Sequence, residues 1–431
     1  MFWDEKIECL SRDEIVSKKE KLLRETVRYA YKNVAFYRDQ FDARDMDPGQ
    51  IRSIDDISSL PFTTKLDLRD NYPYGFCAVP LSRIVRVHAS SGTTGKPTPV
   101  FFTKSDMENW TISMARNCYM VGIREKDVCQ IAFRYTLFTG AFGHHLGADS
   151  IGATVIPTSS GQTERQIMMM QDFGTTVIHC TPSYAITIAE RMREMGIHKG
   201  DLSLRLGIHG AEPMSEELRG EIEERLGITA LRDYGMTELG GPGTSIECPE
   251  KNGYHINEDF FHPEIIDPDT CKPLPNGQTG ELVFTTLQKE AMPLIRYRSR
   301  DITHLETETC GCGRTLIRHG PIIGRSDDML IIGGVNFFPS QLECVMLGFE
   351  EIEPHYVIYL KKKGRLDHVS VAVETHPDFW ANAPGEKIAE LVQKIETKVK
   401  NDIGFRMQIK IVEPLTIPRS EGKAQRVVDE R

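Results

Sequence analysis

Short β-branched runs alternate with helical segments between residues 84 and 234, and this alternation constrains the fold more than any other feature of the chain. The strand-like runs lie at 127–132, 154–156, 175–179 and 205–209. The helical segments that separate them lie at 105–121, 163–173, 182–195 and 215–226. Because strands and helices that alternate in this way form layered sheets with helices on their faces, the sequence predicts an α/β fold.

Two domains are expected, because 431 residues exceed the usual size of a single domain. Residues 13–38 have helical periodicity, and the character changes to strands and turns over 253–302. The predicted domains are 1–324, a large layered α/β domain with a β-rich subdomain, and 328–431, a small mobile α+β lid. The hinge is predicted near 325–328, and the polar stretch 418–431 is expected to be an exposed tail.

The composition limits the classes of function. A net charge of -10 and a pI near 5.8 argue against general binding of nucleic acids or anionic membranes. Ten cysteines are scattered along a chain that has no signal-like apolar segment after Met1, which predicts reduced thiols and a cytoplasmic location. No apolar run is long enough to span a bilayer, so no membrane partner is expected.

A segment rich in glycine, hydroxyl groups and lysine connects two strand-like runs. It consists of Ser90, Ser91, Gly92, Thr93, Thr94, Gly95 and Lys96, followed by Pro97. Backbone N–H groups of such a turn can converge on an anion, and the lysine adds the positive charge that a polyphosphate needs. The spacing of a Walker P-loop is absent. Alone, the segment is equally compatible with a flexible surface loop, and the motifs downstream favour phosphate binding.

Four further signals follow in a fixed order. They are Gly210-Ala211-Glu212-Pro213 after a strand, Asp233-Tyr234-Gly235-Met236-Thr237-Glu238, Tyr297-Arg298-Ser299-Arg300-Asp301, and the pair of runs 324–328 and 420–426. In this order they resemble the adenylate-forming, acyl-CoA synthetase superfamily over nearly the whole chain. The runs 137–140, 161–166, 209–213, 261–268 and 326–332 look more closely like the phenylacetate–CoA ligase family.

This resemblance implies an AMP-forming acid–thiol ligase. A carboxylate, phenylacetate or a related aryl acid, would react with ATP to give an acyl-adenylate and pyrophosphate, and coenzyme A would then displace AMP. Such a reaction joins anions, so positioning and charge stabilisation dominate catalysis. The implied partners are therefore small molecules: the aryl acid, ATP and CoA.

The resemblance also assigns roles to residues. Tyr234 is expected beside adenine, Thr237 at a phosphate, Glu238 on Mg²⁺ and Asp301 on the ribose hydroxyls. The residues expected to bind ATP or AMP are Ser90, Ser91, Gly92, Thr93, Thr94, Gly95, Lys96, Gly210, Ala211, Glu212, Pro213, Asp233, Tyr234, Gly235, Met236, Thr237, Asp301 and Arg325.

Catalysis is assigned to Lys423, together with Glu238 and Thr237. In the family, the lysine at the place of Lys423 bridges the carboxylate and the α-phosphate in the transition state. Asp327 matches the hinge about which the lid turns. One face of the lid would serve adenylation and the other would admit the thiol of CoA.

The aryl pocket is assigned to aromatic residues beside a glycine, because such a cluster can enclose a flat ring. Its predicted members are Tyr135, Phe138, Phe142, Gly143, Ala211 and Tyr234. Ordinary core packing explains any one of them equally well. The run Phe133-Arg134-Tyr135-Thr136 and the pair His144-His145 depart from the pattern expected of the family, which affects the choice of phenylacetate more than the aryl acid class.

A thiol pair, Cys310 and Cys312, lies in a polar loop where buried structural cysteines are not expected. Cys248 and His255 follow C-x₆-H spacing upstream, and a strand meander could join all four. Three thiolates and one imidazole make a closed, structural zinc site. Free thiols are the alternative, and Cys271 is the predicted substitute ligand.

Two other functions stay open at this point. One is an adenylating enzyme that loads an aryl acid onto the thiol of a carrier protein, whose lid should present a docking surface for that protein. The other is a nonenzymatic nucleotide- and zinc-binding regulator, which loss of Lys423, Glu238 or Asp301 would have favoured. A homodimer is a candidate assembly, and the ring substituents of the acid are not encoded in any motif.

Overall fold

The computed structural model describes residues 1–90, 97–327, 329–332, 335–363, 366–420 and 424–431. Within these ranges no helix combines the length and the apolar character needed to cross a membrane. The helices are α1 Glu5–Glu8, α2 Arg12–Asn33, α3 Ala35–Asp42, α4 Lys65–Asp70, α5 Lys104–Met120, α6 Gly140–Ser150, α7 Thr163–Phe173, α8 Pro182–Glu194, α9 Glu216–Leu226, α10 Pro339–Leu347, α11 Pro377–Asn382 and α12 Gly385–Ile403.

The strands before the predicted hinge are β1 Arg86–Ser90, β2 Thr98–Phe102, β3 Val128–Ile131, β4 Thr154–Ile156, β5 Val177–Cys180, β6 Leu206–His209, β7 Thr229–Met236, β8 Gly241–Glu247, β9 Tyr254–Ile256, β10 Phe261–Ile266, β11 Gly280–Thr286, β12 Tyr297–Thr303, β13 Leu305–Glu306, β14 Arg318–His319 and β15 Gly324–Arg325. Those after it are β16 Leu330–Ile332, β17 Val335–Phe337, β18 Ile352–Lys363, β19 Leu366–Thr375, β20 Gln408–Val412 and β21 Val427–Asp429.

A mixed sheet forms the centre of the large domain. In the described residues its strand order is β13-β14-β9-β8-β7-β6-β5-β3-β4. The strands from β7 to β4 pair in parallel, as the alternation with helices predicts. The strands from β8 to β13 extend this sheet in antiparallel pairs, so part of the region predicted as a separate β-rich subdomain belongs to the central sheet.

The helix boundaries follow local sequence signals. The Thr103 side chain caps α5 in a capping box with Asp106, and Thr181 caps α8, which begins with Pro182. Gly174 ends α7 at a positive φ of 61°. The helical pattern over 13–38 is interrupted at Val34, whose extended backbone separates α2 from α3.

Two smaller sheets complete the large domain. The strands β10-β11-β12-β15 form an antiparallel sheet within the described residues, and this sheet carries the third motif on β12. The hairpin β1–β2 flanks the glycine-rich segment, whose residues 91–96 lie outside the described ranges.

The lid has its own hydrophobic core, formed by buried residues of α10, α12 and the sheet β20-β19-β18-β21. Its last strand corrects one expectation. The stretch 418–431 is not simply a tail, because Val427–Asp429 pairs in parallel with Ile358–Leu360 of β18. The residues around the predicted catalytic lysine are therefore bounded downstream by a strand of the lid sheet.

Candidate active site

The predicted site residues gather where the parallel strands of the central sheet end. Gly210 follows β6, and Asp233 lies in the neighbouring strand β7. A Cβ atom on Gly210 would lie 2.9 Å from the Asp233 carbonyl oxygen, so only glycine lets the two motifs approach this closely. Ligands of open α/β sheets bind beyond the carboxyl ends of such strands.

Glu238 is buried against the first strand of the hairpin. Its Oε1 accepts a hydrogen bond of 2.7 Å from Ser90 Oγ and lies 3.3 Å from Lys65 Nζ. The hydroxyl of the adjacent Thr237 lies 3.3 Å from that of Thr139. A carboxylate next to a hydroxyl pair, at the start of the glycine-rich segment, has the ligand chemistry that Mg²⁺ and phosphate require.

Asp301 is the centre of a second polar group. Its Oδ2 accepts a hydrogen bond of 2.7 Å from Tyr234 Oη, and its Oδ1 accepts one of 3.0 Å from Arg325. Burial raises the pKa of Asp301, although the charge of Arg325 opposes this shift. Arg325 also pairs with Asp327, so it connects the predicted ribose carboxylate to the predicted hinge residue.

Glu212 connects the large domain to the end of the lid. Its carboxylate accepts hydrogen bonds from the backbone N–H and hydroxyl of Ser183, and Oε1 also accepts a short bond from the N–H of Ala424. Ala211 beside it has a positive φ of 69°, a conformation that a residue with a Cβ adopts at a cost. Such strain is common at ligand sites.

A buried polar group lies beneath the site, and we call Asp233, His144 and His179 the interior cluster. Asp233 Oδ2 lies 3.6 Å from His144 Nε2, and the Nδ1 atoms of the two histidines lie 3.1 Å apart. Burial raises the pKa of Asp233 to about 7 and lowers the pKa of His144 to about 3. Burial therefore favours the neutral forms of these side chains, and among the described residues no lysine or arginine pairs with Asp233.

The predicted aryl pocket is only partly assembled. The rings of Tyr135 and Phe142 contact edge to face at 5.2 Å, and Tyr135 Oη lies 3.0 Å from His145 Nδ1. His88 packs on Phe142 from the other side. Phe138 does not join them: it is 44% exposed and has no ring contact within the described residues.

Gly143 has a packing role. A Cβ there would lie 2.5 Å from Pro242 Cγ and 2.9 Å from the Trp110 ring. Trp110 in turn donates a hydrogen bond of 2.7 Å to the Pro242 carbonyl. A cavity of about 40 Å³ lies beside this contact, lined by Trp110, Phe102 and Lys289 among others. It is too small for an aromatic ring.

The four predicted metal ligands converge. The donor atoms of Cys248, His255, Cys310 and Cys312 all lie within 4.8 Å of one another. The sulfurs of Cys248 and Cys310 are 3.7 Å apart, and Cys312 Sγ is 3.4 Å from His255 Nε2. Tetrahedral zinc with bonds of about 2.3 Å to sulfur and 2.0–2.1 Å to nitrogen would set these separations at about 3.8 and 3.6 Å.

The charges of this Cys/His cluster also suit a cation. The hydrogen bond from Cys248, together with His255, lowers the pKa of Cys312, and the hydrogen bond with His255 lowers the pKa of Cys310. Cys271, the predicted substitute ligand, does not join the group, because its sulfur accepts a hydrogen bond of 3.2 Å from Arg298. The residues present fit a structural zinc site.

Several sequence predictions fall outside the described residues, namely Ser91, Gly92, Thr93, Thr94, Gly95, Lys96 and Lys423. Other residues of the site carried no signal of their own. Lys65 lies on α4, far in sequence from any motif. Ser183 joins the site through its hydrogen bond to Glu212, which the sequence does not indicate. Thr139 belongs to the run 137–140 that carries the family resemblance, so it could have been proposed from the sequence.

Two family models match the chain. Residues 70–288 match the model of AMP-binding enzymes, and residues 334–431 match that of the AMP-binding enzyme C-terminal domain. Among curated proteins, phenylacetate–coenzyme A ligase of Thermus thermophilus is 45% identical over 444 residues, which cover 100% of both chains.

Among solved structures, 2-hydroxyisobutyryl-CoA ligase in the postadenylation state, in complex with R3-HIB-AMP, aligns with a TM-score of 0.94 at 26% identity. The alignment covers 100% of this chain and 92% of that one. The same ligase with 2-HIB-AMP and CoA in the thioesterification state gives a TM-score of 0.74 at 28% identity, with the same coverage. The lid therefore lies here much as it does in the postadenylation state.

Proposed function

We propose that this chain, which belongs to the phenylacetate–coenzyme A ligase family of AMP-binding enzymes, activates phenylacetate or a closely related aryl acid for transfer to CoA. The family, the adenylate-forming fold and the AMP-forming ligase activity predicted from the sequence are confirmed by the full-length relatives. ATP and CoA are its co-substrates. The observation that carries the choice of acid is identity of 45–47% to four phenylacetate–coenzyme A ligases.

We assign the nucleotide to the polar groups at the ends of β6, β7 and β12. Asp301 would bind the ribose hydroxyls in place of its contacts with Tyr234 and Arg325. Glu238, with Ser90 and Lys65 around it, would hold Mg²⁺ near the phosphates. Asp301 of the smaller sheet contacts Tyr234 of β7, and Glu238 follows β7 directly, so these groups lie close to the ends of the parallel strands, which supports the assignments.

Lys423 would stabilise charge in the transition state of adenylation. The domains are proposed as 1–324 and 328–431, with Asp327 at the hinge, and separate hydrophobic cores on the two sides support this division. Rotation of the lid would then remove Lys423 and admit CoA for the second half-reaction.

The catalytic assignment is tested with Lys423→Ala. Loss of one preorganised charge should slow adenylation by about 10²–10³-fold, as measured by pyrophosphate exchange. The formation of phenylacetyl-CoA from synthetic phenylacetyl-adenylate should be largely spared, because the lid has then turned away. An equal loss in both half-reactions would refute the two-face lid.

The acid is tested by comparing phenylacetate with acetate in steady-state assays. A benzene ring buries on the order of 100 Å² of apolar surface, or roughly 2–3 kcal/mol at ~25 cal/mol per Å². We expect phenylacetate to exceed acetate in kcat/KM by about thirtyfold to a hundredfold, and Phe142→Ala to reduce this preference. A better rate with acetate or with a long fatty acid would mean that Tyr135 and Phe142 serve core packing and do not bind the acid. A rate that needs a carrier protein rather than CoA would favour the alternative acceptor.

We also propose that Cys248, His255, Cys310 and Cys312 hold one structural zinc ion. The cluster contains none of the predicted nucleotide-binding residues, and it joins strand β9 to the segments that hold Cys248, Cys310 and Cys312 in the large domain. Its loop also anchors the N-terminal segment, because Arg314 donates to the Glu8 carboxylate at 2.5 Å and the Thr315 hydroxyl donates to the Leu10 carbonyl at 2.6 Å. Zinc would therefore stabilise the fold and supply no chemistry to the reaction.

Elemental analysis of the purified protein should give close to one zinc per chain. Cys312→Ser should lose the metal and lower the melting temperature, whereas Cys344→Ser, at an exposed cysteine of the lid, should change neither. Zinc-free protein with four reactive side chains at the cluster would remove the proposal without affecting the ligase assignment.

A further inference from the structure

Buried ion pairs cross the boundary between the large domain and the lid. Glu190, on α8 of the large domain, forms ion pairs with two lid residues. His355 Nε2 lies 2.8 Å from its Oε1, and Arg419 Nε lies 3.0 Å from its Oε2. In a second pair, Arg225 of α9 lies 2.8 Å from Glu353 of the lid. We call Glu190, His355, Arg419, Arg225 and Glu353 the lid cluster.

The members of the lid cluster are largely withdrawn from water. The Glu190 side chain is 10% exposed and that of Glu353 is 3% exposed. Although burial acts in the opposite direction, the His355 hydrogen bond and the charge of Arg419 lower the pKa of Glu190. Buried charges of this kind are costly to separate, because each would be left without its partner.

Arg419 also anchors the lid segment that leads to Lys423. Its Nη2 lies 2.8 Å from Glu374 Oε2, and the same carboxylate accepts bonds from the backbone N–H groups of Leu415 and Ile417. Arg419 therefore fixes the segment to its own domain and to Glu190 at once.

The other end of this segment is fixed as well. The N–H of Ala424 donates to Glu212 in the second motif. The described lid chain is therefore held at Glu190 through Arg419 and at Glu212 through Ala424. The lid arrangement in which these contacts occur matches the postadenylation state of the solved relative.

We propose that Glu190 is a positioning residue for adenylation, which holds the lid in the arrangement for this half-reaction through Arg419 and His355. This inference rests on the proposed function, because it assumes that Lys423 acts in the first half-reaction. Glu190 touches neither the nucleotide nor the acid in this scheme. Its ion pairs must break when the lid turns, so the second half-reaction should not depend on them.

The test measures both half-reactions in Glu190→Gln. Pyrophosphate exchange should fall by between about tenfold and a hundredfold, since misplacing a catalytic group by about 1 Å can cost this much. Formation of phenylacetyl-CoA from synthetic phenylacetyl-adenylate should stay within about twofold of the parent rate. Adding Lys423→Ala to Glu190→Gln should slow exchange little beyond Lys423→Ala alone, because both changes act through one group.

Arg205→Gln is the matched control. Arg205 pairs with the buried Asp127 at 2.6 Å within the large domain, and it has no partner among the described residues of the lid. The Arg205→Gln variant should leave the ratio of the two half-reaction rates unchanged. Circular dichroism melting of each variant establishes that it is folded, and Arg419→Lys provides a second variant if Glu190→Gln is not.

The outcomes separate the inference from the proposed function. Equal falls in both half-reactions, or fully additive effects of Glu190→Gln and Lys423→Ala, would overturn the positioning role alone. If Lys423→Ala itself leaves adenylation intact, the catalytic assignment fails first. A selective and non-additive loss of adenylation supports both.

Discussion

The interior cluster and the lid cluster are built from the same kinds of side chain, carboxylates and imidazoles in buried positions, yet their charges differ. In the interior cluster, burial raises the pKa of Asp233 to about 7, so its carboxyl group tends toward the neutral form. In the lid cluster, His376 and Arg225 lower the pKa of Glu353 to about 2 in spite of burial. Basic partners outweigh burial at Glu353, whereas burial dominates at Asp233.

The difference in charge state suits the positions of the two clusters, one beneath the candidate site and the other between the large domain and the lid. A neutral network can stay packed beneath a site that receives a highly charged nucleotide, because it adds no net charge of its own. If the lid turns as proposed, the interface needs contacts that exclude wrong arrangements, and ion pairs of fixed geometry do this. The predictions below change one member at a time to find out whether partner charge is the deciding factor.

The largest effect is expected from Arg419→Met. This change leaves the carboxylates of Glu190 and Glu374 buried without their shared cation, and breaking such a pair costs about 3 kcal/mol or more. Urea unfolding at pH 7 measures the loss. Arg83→Gln is the control, since its pair with Glu290 is 54% exposed on the arginine side and should contribute less than about 1 kcal/mol. Equal losses in the two variants would remove the distinction between buried and exposed pairs.

A pH-dependent effect of about 3 kcal/mol between about pH 4 and about pH 7 is expected from Asp233→Asn. Because the pKa of Asp233 is raised to about 7, the folded protein holds a proton there that the unfolded chain has already lost. This carboxyl group therefore lowers the free energy of unfolding as the pH rises from about 4 to about 7. The asparagine variant lacks this decline, so the difference between variant and parent should grow in the variant's favour over that range.

Urea midpoints of the parent and of Asp233→Asn, taken at several pH values, measure this difference. The comparison with the parent is needed because the neutral histidines nearby have the opposite dependence. Glu353→Gln supplies the contrast: the lowered pKa of Glu353 gives stability that is present above about pH 4.5 and lost as the pH falls toward 2. Parallel curves for the two variants would contradict the assignment of opposite charge states.

The smallest effect is expected from His376→Asn. Its Nδ1 lies 2.6 Å from Glu353 Oε1, and this hydrogen bond raises the pKa of His376. The stabilisation is therefore complete below the unfolded pKa of about 6.5 and disappears as the pH rises through the higher folded value. We expect a loss of less than about 1 kcal/mol at pH 6 and almost none at pH 9 by thermal melting. A loss that is the same at both values would mean that His376 acts by packing alone.

The parallel part of the central sheet could be predicted from sequence because its information is local. Each run of β-branched residues and each helix cap lies within a few residues of the element that it defines, and α7 begins and ends where the pattern placed it. The helix α6 was missed, because Gly140, Gly143 and Gly147 disguise its periodicity. Close packing explains Gly143 and Gly147, since a Cβ on Gly147 would lie 2.8 Å from the Met114 carbonyl oxygen, but a Cβ on Gly140 would meet no atom within 4 Å.

The site was predictable where a motif carries it and not where distant elements meet. The spacing of Cys310 and Cys312 pointed to a metal-binding cluster, and the structure brings Cys248 and His255 to them. Nothing near Glu190 indicates a partner, because His355 lies 165 residues away in the chain. A glutamate on an amphipathic helix is usually solvated, so such long-range ion pairs become visible only once the two domains are placed together.

The contact of Gly143 with Pro242 and Trp110 has a consequence for altering which acid the enzyme accepts. A side chain of any size at that position would strike the proline ring, so libraries that vary Gly143 should yield misfolded or inactive proteins rather than new specificities. Tyr135 and Phe142 are only partly buried and contact each other through ring edges, so they can change size without displacing backbone. Variation of these two rings is therefore the productive route for redesigning the acid-binding surface proposed above.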